Sequence, residues 1–379
     1  MTWFRVLISC LLLSAGLAAC TKEAPPALVD PTYFASENPK SLREWGMVQV
    51  SGDALVLGSR VTPYDLTTPL FTDYAQKLRT IWMPPGASAQ YAGGELLSFP
   101  VGTVITKTFF YQAAPGGKVL QKADQAQIHS GEGLNLRRVR MIETRLLIHR
   151  SEGWTALTYL WNEAQTEAVL HRVGAVVPLK LVGEDGVDEP FSYVVPNVTQ
   201  CAACHAPNVT TRVINPIGPK ARLLNRDFAY SDRTENQLSR LTEMGYLRGL
   251  DNPKAAPADV SWTDQSAPLE ARARAYLDVN CGHCHNPTGP ADTSGLYLNA
   301  ATPVSGRSGV CKMPVAAGAG TGDHRFDIVP GEADESIIPY RMESTNPAVM
   351  MPEIGRSLRH REGVALVRFW IDSMEGSCR

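Results

Sequence analysis

The sequence predicts a multidomain α+β chain: an antiparallel β-rich N-terminal domain followed by mainly α-helical segments. Three observations predict it. Residues 103–111, Thr-Val-Ile-Thr-Lys-Thr-Phe-Phe-Tyr, are β-branched and aromatic, a strand composition. Apolar residues at helical spacing appear only later, near residues 235–244, 269–280 and 363–373. Two copies of Cys-x-x-Cys-His lie in that later part, at Cys201-Ala202-Ala203-Cys204-His205 and Cys281-Gly282-His283-Cys284-His285.

In chain order, residues 1–19 read as a leader. Arg5 supplies positive charge, and residues 6–13 form an apolar run shorter than the roughly 20 residues of a membrane span. Leu17-Ala18-Ala19-Cys20 resembles the bacterial lipobox, which implies cleavage before Cys20 and lipidation of its sulfur. Residues 20–45 then read as a lipidated, Pro-containing tether. The expected location is lipid-anchored and periplasm-facing, at the outer membrane of a Gram-negative bacterium. The formal net charge of −2 leaves no electrostatic footprint for nucleic acid.

Residues 46–195 form the predicted β-rich domain. Residues 141–149 and 154–161 read as neighbouring strands around the turn Ser151-Glu152-Gly153. Residues 176–182 read as an edge strand because of Pro178, and residues 74–78 as the one short helix. Residues 196–265 carry the first Cys-x-x-Cys-His, then Gly218-Pro219, a helix near 235–244 and a Pro- and Ala-rich linker. In residues 266–379 a helix runs into the second motif. A Gly-rich loop, a Met351-Pro352 step and a terminal helix follow.

Cys-x-x-Cys-His is the attachment pattern for haem c: two thiols bond the porphyrin edge and the adjacent His ligates the iron. Two motifs imply two covalently attached haem c groups, on Cys201 and Cys204 with His205, and on Cys281 and Cys284 with His285. A Zn site is the competing reading of paired Cys-x-x-Cys, and the distance between the pairs and the following His argue against it. Low-spin haems often take Met as a second axial ligand. Met351, with Met350 behind it, is the candidate for the second haem, or both fill core gaps. For the first haem the candidates are Met244, which equally suits a helix core, and His129, or the position is open. His283 reads as solvent-facing, and Pro219 as the carbonyl partner of the His205 ring. Of eight cysteines, Cys311 and Cys378 remain, and export predicts a disulfide between them, with two free thiols as the alternative.

The order of helix, haem motif, Met-Pro and terminal helix resembles a class I cytochrome c domain. With Pro69 to Ala75, Phe99 to Thr103, Tyr159 to Asn162 and the two motifs, most of the chain resembles an uncharacterised family of bacterial dihaem c-type cytochrome-like lipoproteins. The function of that family is not established; two haem motifs in an exported, lipid-anchored chain predict single-electron transfer with periplasmic redox partner proteins, and membrane attachment through the lipid alone. Phe99-Pro100-Val101-Gly102-Thr103 with Lys107 also resembles the lysine-cross-linked haem oxidases, which implies an enzyme with an open first iron and the C-terminal part as relay. A peroxidase-like enzyme is a variant of that reading. The alternative for Lys107 is a solvent-facing strand lysine.

Overall fold

The computed structural model describes residues 29–315 and 317–378. The predicted leader, the Cys20 lipidation site and the start of the tether lie outside the described residues.

Nine strands form one curled sheet: β1 (Thr62–Tyr64), β2 (Gln76–Trp82), β3 (Val104–Ala114), β4 (Lys118–Leu120), β5 (Val139–Arg150), β6 (Gly153–Trp161), β7 (Ala168–Leu170), β8 (Ala175–Val182) and β9 (Asp188–Val195). The long strand β3 is its axis. One edge of β3 pairs with β5 and leads on to β6 and β7. The other edge is shared between β2, which continues to β1, and β4, which continues to β8 and β9. All pairs are antiparallel except β4 with β8. The β5–β6 hairpin closes at Arg150 opposite Gly153, and Gly153 has a φ of 116° that a side chain rarely adopts.

Alternation along β3 sends its two faces into different cores. Val104 and Phe110 join Leu146, Ile148 and Tyr159 under a small four-stranded sheet that begins at residues 48–51. Ile105, on the opposite face, packs with Ile81, Leu223, Leu238 and Tyr246. The chain after residue 220 therefore packs on the sheet itself. A third cluster joins Tyr276, Leu277, Ile328, Val367 and Trp370 in the C-terminal part, where Cys311 and Cys378 form a disulfide. Each fully buried side chain of this size contributes about 1.5–3 kcal/mol before entropy is set against it.

The β-rich part fits the sequence-based expectation; the mainly helical, cytochrome c-like remainder does not. Helices there are short: α1 (Val198–His205), α2 (Gln237–Glu243), α3 (Leu269–Leu277), α4 (Ile337–Glu343) and α5 (Arg361–Asp372). Among the described residues strand exceeds helix, 27% against 23%. Prolines at 287, 290, 303, 314, 330, 347 and 352 punctuate the last third, and each removes a backbone donor that a continuing helix needs. Bends and 3-10 turns fill the gaps.

Two local expectations are also corrected. Residues 76–82 form β2, not the end of a helix, because the chain turns at Asp73 and Tyr74 with φ of 46° and 63°. Strand β8 is an interior strand, with β4 on one side and β9 on the other. Pro178 is tolerated because β4 reaches only Leu181 and Val182, so no ladder partner needs the missing N–H.

The Asp73 turn joins the sheet to the C-terminal part. Its Oδ1 accepts from the backbone N–H of Ser357 and of Leu358, both at 2.7 Å, and the Tyr111 hydroxyl donates to its carbonyl. Burial lifts the Asp73 carboxyl from 3.8 to about 6, against the pull of those two N–H groups. Between these values the folded state holds a proton that the unfolded chain has released. Stability therefore falls as pH rises through that window, by about 2–3 kcal/mol in all. Asp73→Asn keeps the accepting oxygen and removes the charge. Denaturant titrations of the variant from pH 4 to 7 are expected to lack this decline; an unchanged slope would place its origin elsewhere.

Candidate functional site

Helix α1 brings the first motif to the sheet. Asn197 caps it, accepting from the Gln200 N–H at 2.9 Å while Gln200 answers at 3.0 Å. Cys201 and His205 then stand one turn apart. The second motif follows α3 directly, on a single wide turn over Asp278–Gly282. Two polar side chains dock that turn on the rest of the chain. Asn280 accepts from the Phe71 N–H at 2.8 Å. Asp278 accepts from the Ala300 N–H at 2.7 Å and from the buried Arg222 guanidinium at 2.8 Å. Arg222 also pairs with Asp259 and Glu95.

The two motifs meet. The Cys284 Sγ lies 3.9 Å from the Ala203 carbonyl, and the Val209 N–H donates to the Thr288 carbonyl at 2.8 Å just beyond them. Each motif opens on its own cavity. The first, about 660 Å³, is lined by Cys201, Cys204 and His205. The second, about 410 Å³, is lined by Cys281, Cys284 and His285. Cys204, Cys281, His283, Met342 and Met351 line both, so the cavities share a wall.

The two motif histidines are held alike. His205 Nδ1 pairs with the Asn215 carbonyl at 2.8 Å, and His285 Nδ1 with the Leu296 carbonyl at 3.3 Å. With Nδ1 donating, Nε2 is the nitrogen left with a lone pair. Burial pushes the His205 imidazole down to about 3, with Lys107 adding to the effect, and lowers His285 also. Both rings are thus neutral at physiological pH. Burial raises all four motif thiols, those of Cys281 and Cys284 to about 12, so unmodified they stay protonated. A tethered porphyrin needs an apolar cleft, two thiols and one oriented imidazole, and each cavity supplies that set. Among the described residues no three of His, Cys, Asp and Glu gather as a metal-ion site.

The other candidates separate. Met351 lines both cavities, whereas Met350 is buried and lines neither. Arg356 organises the Met351 loop, donating to the carbonyls of Met351, Ser344, Arg341 and Leu358. Met244 packs with the Leu238 and Leu241 cluster and lines neither cavity. His129 sits exposed on the small sheet. The carbonyl partner of His205 is Asn215, not Pro219, which accepts from the Leu97 N–H instead. His283 is not solvent-facing: it lines both cavities, and its buried Nδ1 has no hydrogen-bond partner among the described residues.

Lys107 lines the first cavity, and burial pushes its ammonium down to about 7, with the Arg145 charge adding. A sequence signal for this placement exists: Lys107 shares its strand face with Ile105, Phe109 and Tyr111, all buried. Arg145 and His360 line the same cavity without any local motif to mark them. Arg145 donates to the fully buried Glu143 carboxylate at 2.5 and 2.8 Å, and Tyr193 donates to it at 2.8 Å. His360 stacks on Phe71 at 4.2 Å, with Nδ1 3.0 Å from the Tyr276 hydroxyl.

Compared with known proteins, the chain matches no family model, no curated protein and no solved structure. Together with the β-rich architecture, this overturns both the assignment to a dihaem cytochrome-like lipoprotein family and the class I cytochrome c resemblance of the C-terminal part.

Proposed function

We propose that the chain is an exported dihaem c protein that passes single electrons between periplasmic partners. The observation that carries this reading is the pairing of two Cys-x-x-Cys-His motifs, each at its own cavity and in contact with one another. Bound there, haem iron would supply a one-electron couple. The chain's residues do the rest. Cys201, Cys204, Cys281 and Cys284 would fix the groups covalently, and His205 and His285 present neutral Nε2 atoms oriented by backbone carbonyls. Met351 and His283 stand in the shared wall and would be further candidates to hold iron. Apolar burial keeps water from the irons and favours the less charged state. Attachment to the membrane is proposed through Cys20 lipid; no helix among the described residues is long and apolar enough to cross a membrane.

A second reading has an observation of its own. The first cavity is the larger and carries Lys107, Arg145 and His360 on its walls, which suits an open iron acting on a small substrate. The optical spectrum of the dithionite-reduced, matured protein with and without carbon monoxide separates the two. Electron transfer with six-coordinate irons predicts no change. A shift in about half of the haem supports the enzyme reading. A matured protein with no haem absorption refutes both.

A further inference from the structure

Three cations stand directly opposite one another across three neighbouring strands. Arg79 on β2 pairs in register with Lys107 on β3, and Lys107 with Arg145 on β5. Side chains at paired positions point to the same face, and all three line the first cavity. Like charges directly opposite are destabilising in a sheet. Two of the three are neutralised within the chain, Arg79 by Asp65 at 2.5 Å and Arg145 by Glu143 at 2.5 Å. The middle one is not. Among the described residues Lys107 has neither an ion-pair nor a hydrogen-bond partner. Its ammonium only rests against the Phe109 ring, 5.1 Å from the centroid, and the Arg145 guanidinium covers that ring at 4.3 Å.

We propose that this row is a carboxylate-binding site on the wall of the first cavity, with Lys107 as the central contact and Arg145 and Arg79 flanking it. The arrangement offers a free ammonium between two guanidiniums whose bonds to Asp65 and Glu143 leave N–H groups unused. A planar anion with two oxygens matches donors spread along one line. The strand spacing of about 4.8 Å sets the distance between neighbouring donors' backbones. The carboxylate can come from two sources: a propionate of a haem held at Cys201 and Cys204, or a free small carboxylate. The first source rests on the function proposed above; the site itself does not.

The test uses the full-length matured protein and its Lys107→Gln and Lys107→Arg variants. Acetate is titrated calorimetrically, and the propionate-bending bands are recorded by resonance Raman. A free-carboxylate site predicts saturable acetate binding that K107Q weakens about 10- to 100-fold, the usual worth of a charged hydrogen bond, and that K107R largely restores. A propionate site predicts no acetate binding, with a propionate band displaced in K107Q and returned by K107R. If neither measurement responds to K107Q while its circular dichroism matches the parent, the proposal is wrong. A protein without haem removes the Raman bands altogether, yet the acetate titration still decides the site.

Discussion

On the dihaem proposal, replacing Cys201 and Cys204 by alanine is expected to halve the haem carried per chain, and the Cys281/Cys284 pair to remove the other half. Pyridine haemochrome absorbance and intact mass measure both. A thioether bond needs the thiol, and each pair belongs to a separate Cys-x-x-Cys-His motif, so the losses are independent in number. They are not independent in consequence. The cavities share His283, Met342 and Met351, and the motifs touch at Cys284 and Ala203. Removing one group admits water to the wall of the other. The surviving midpoint potential is expected to fall, because a wetter site favours the more charged state. A single-pair variant that retains full haem would end the assignment of one group to each motif. A survivor at its original potential would end the claim of a shared wall.

Arg145→Met is expected to cost about 3–5 kcal/mol of stability, the usual penalty for stripping the partner from a buried charge. Glu143 is wholly buried, and its remaining partner would be the Tyr193 hydroxyl. The loss should appear as an earlier urea midpoint. The double variant with Glu143→Met is expected to recover a good part of it, since no charge is then stranded. A loss under about 1 kcal/mol would mean that water reaches Glu143 and the pair acts as a surface one. The same change removes one flank of the cation row, so R145M at low denaturant also bears on anion binding.

The strands were legible because β-branched and aromatic runs are local signals. Residues 104–114, 139–150 and 153–161 contain them, and Ser151-Glu152-Gly153 marks their hairpin. The two Cys-x-x-Cys-His motifs are visible in the sequence for the same reason: their residues are contiguous. What escaped is long-range. Arg79, Lys107 and Arg145 become neighbours only through strand register, and no local pattern states a register. The His205 carbonyl partner depends on how the loop to Asn215 folds back. The C-terminal part is not mainly helical because order along the chain does not fix architecture: helix, motif, Met-Pro and helix occur in sequence, but turns and prolines fill the space between them.

The Met351 loop is held from two sides. Arg356 ties it to helix α4, donating to the carbonyls of Met351, Ser344 and Leu358 and to that of Arg341 on α4, and Asp73, in the turn before β2, clamps Ser357 and Leu358. On the electron-transfer reading this has a kinetic meaning. A thioether placed by such a loop has little freedom to change its distance from an iron when the oxidation state changes. The nuclear rearrangement that accompanies each electron is correspondingly small, and a small rearrangement lets electrons pass in either direction with little driving force.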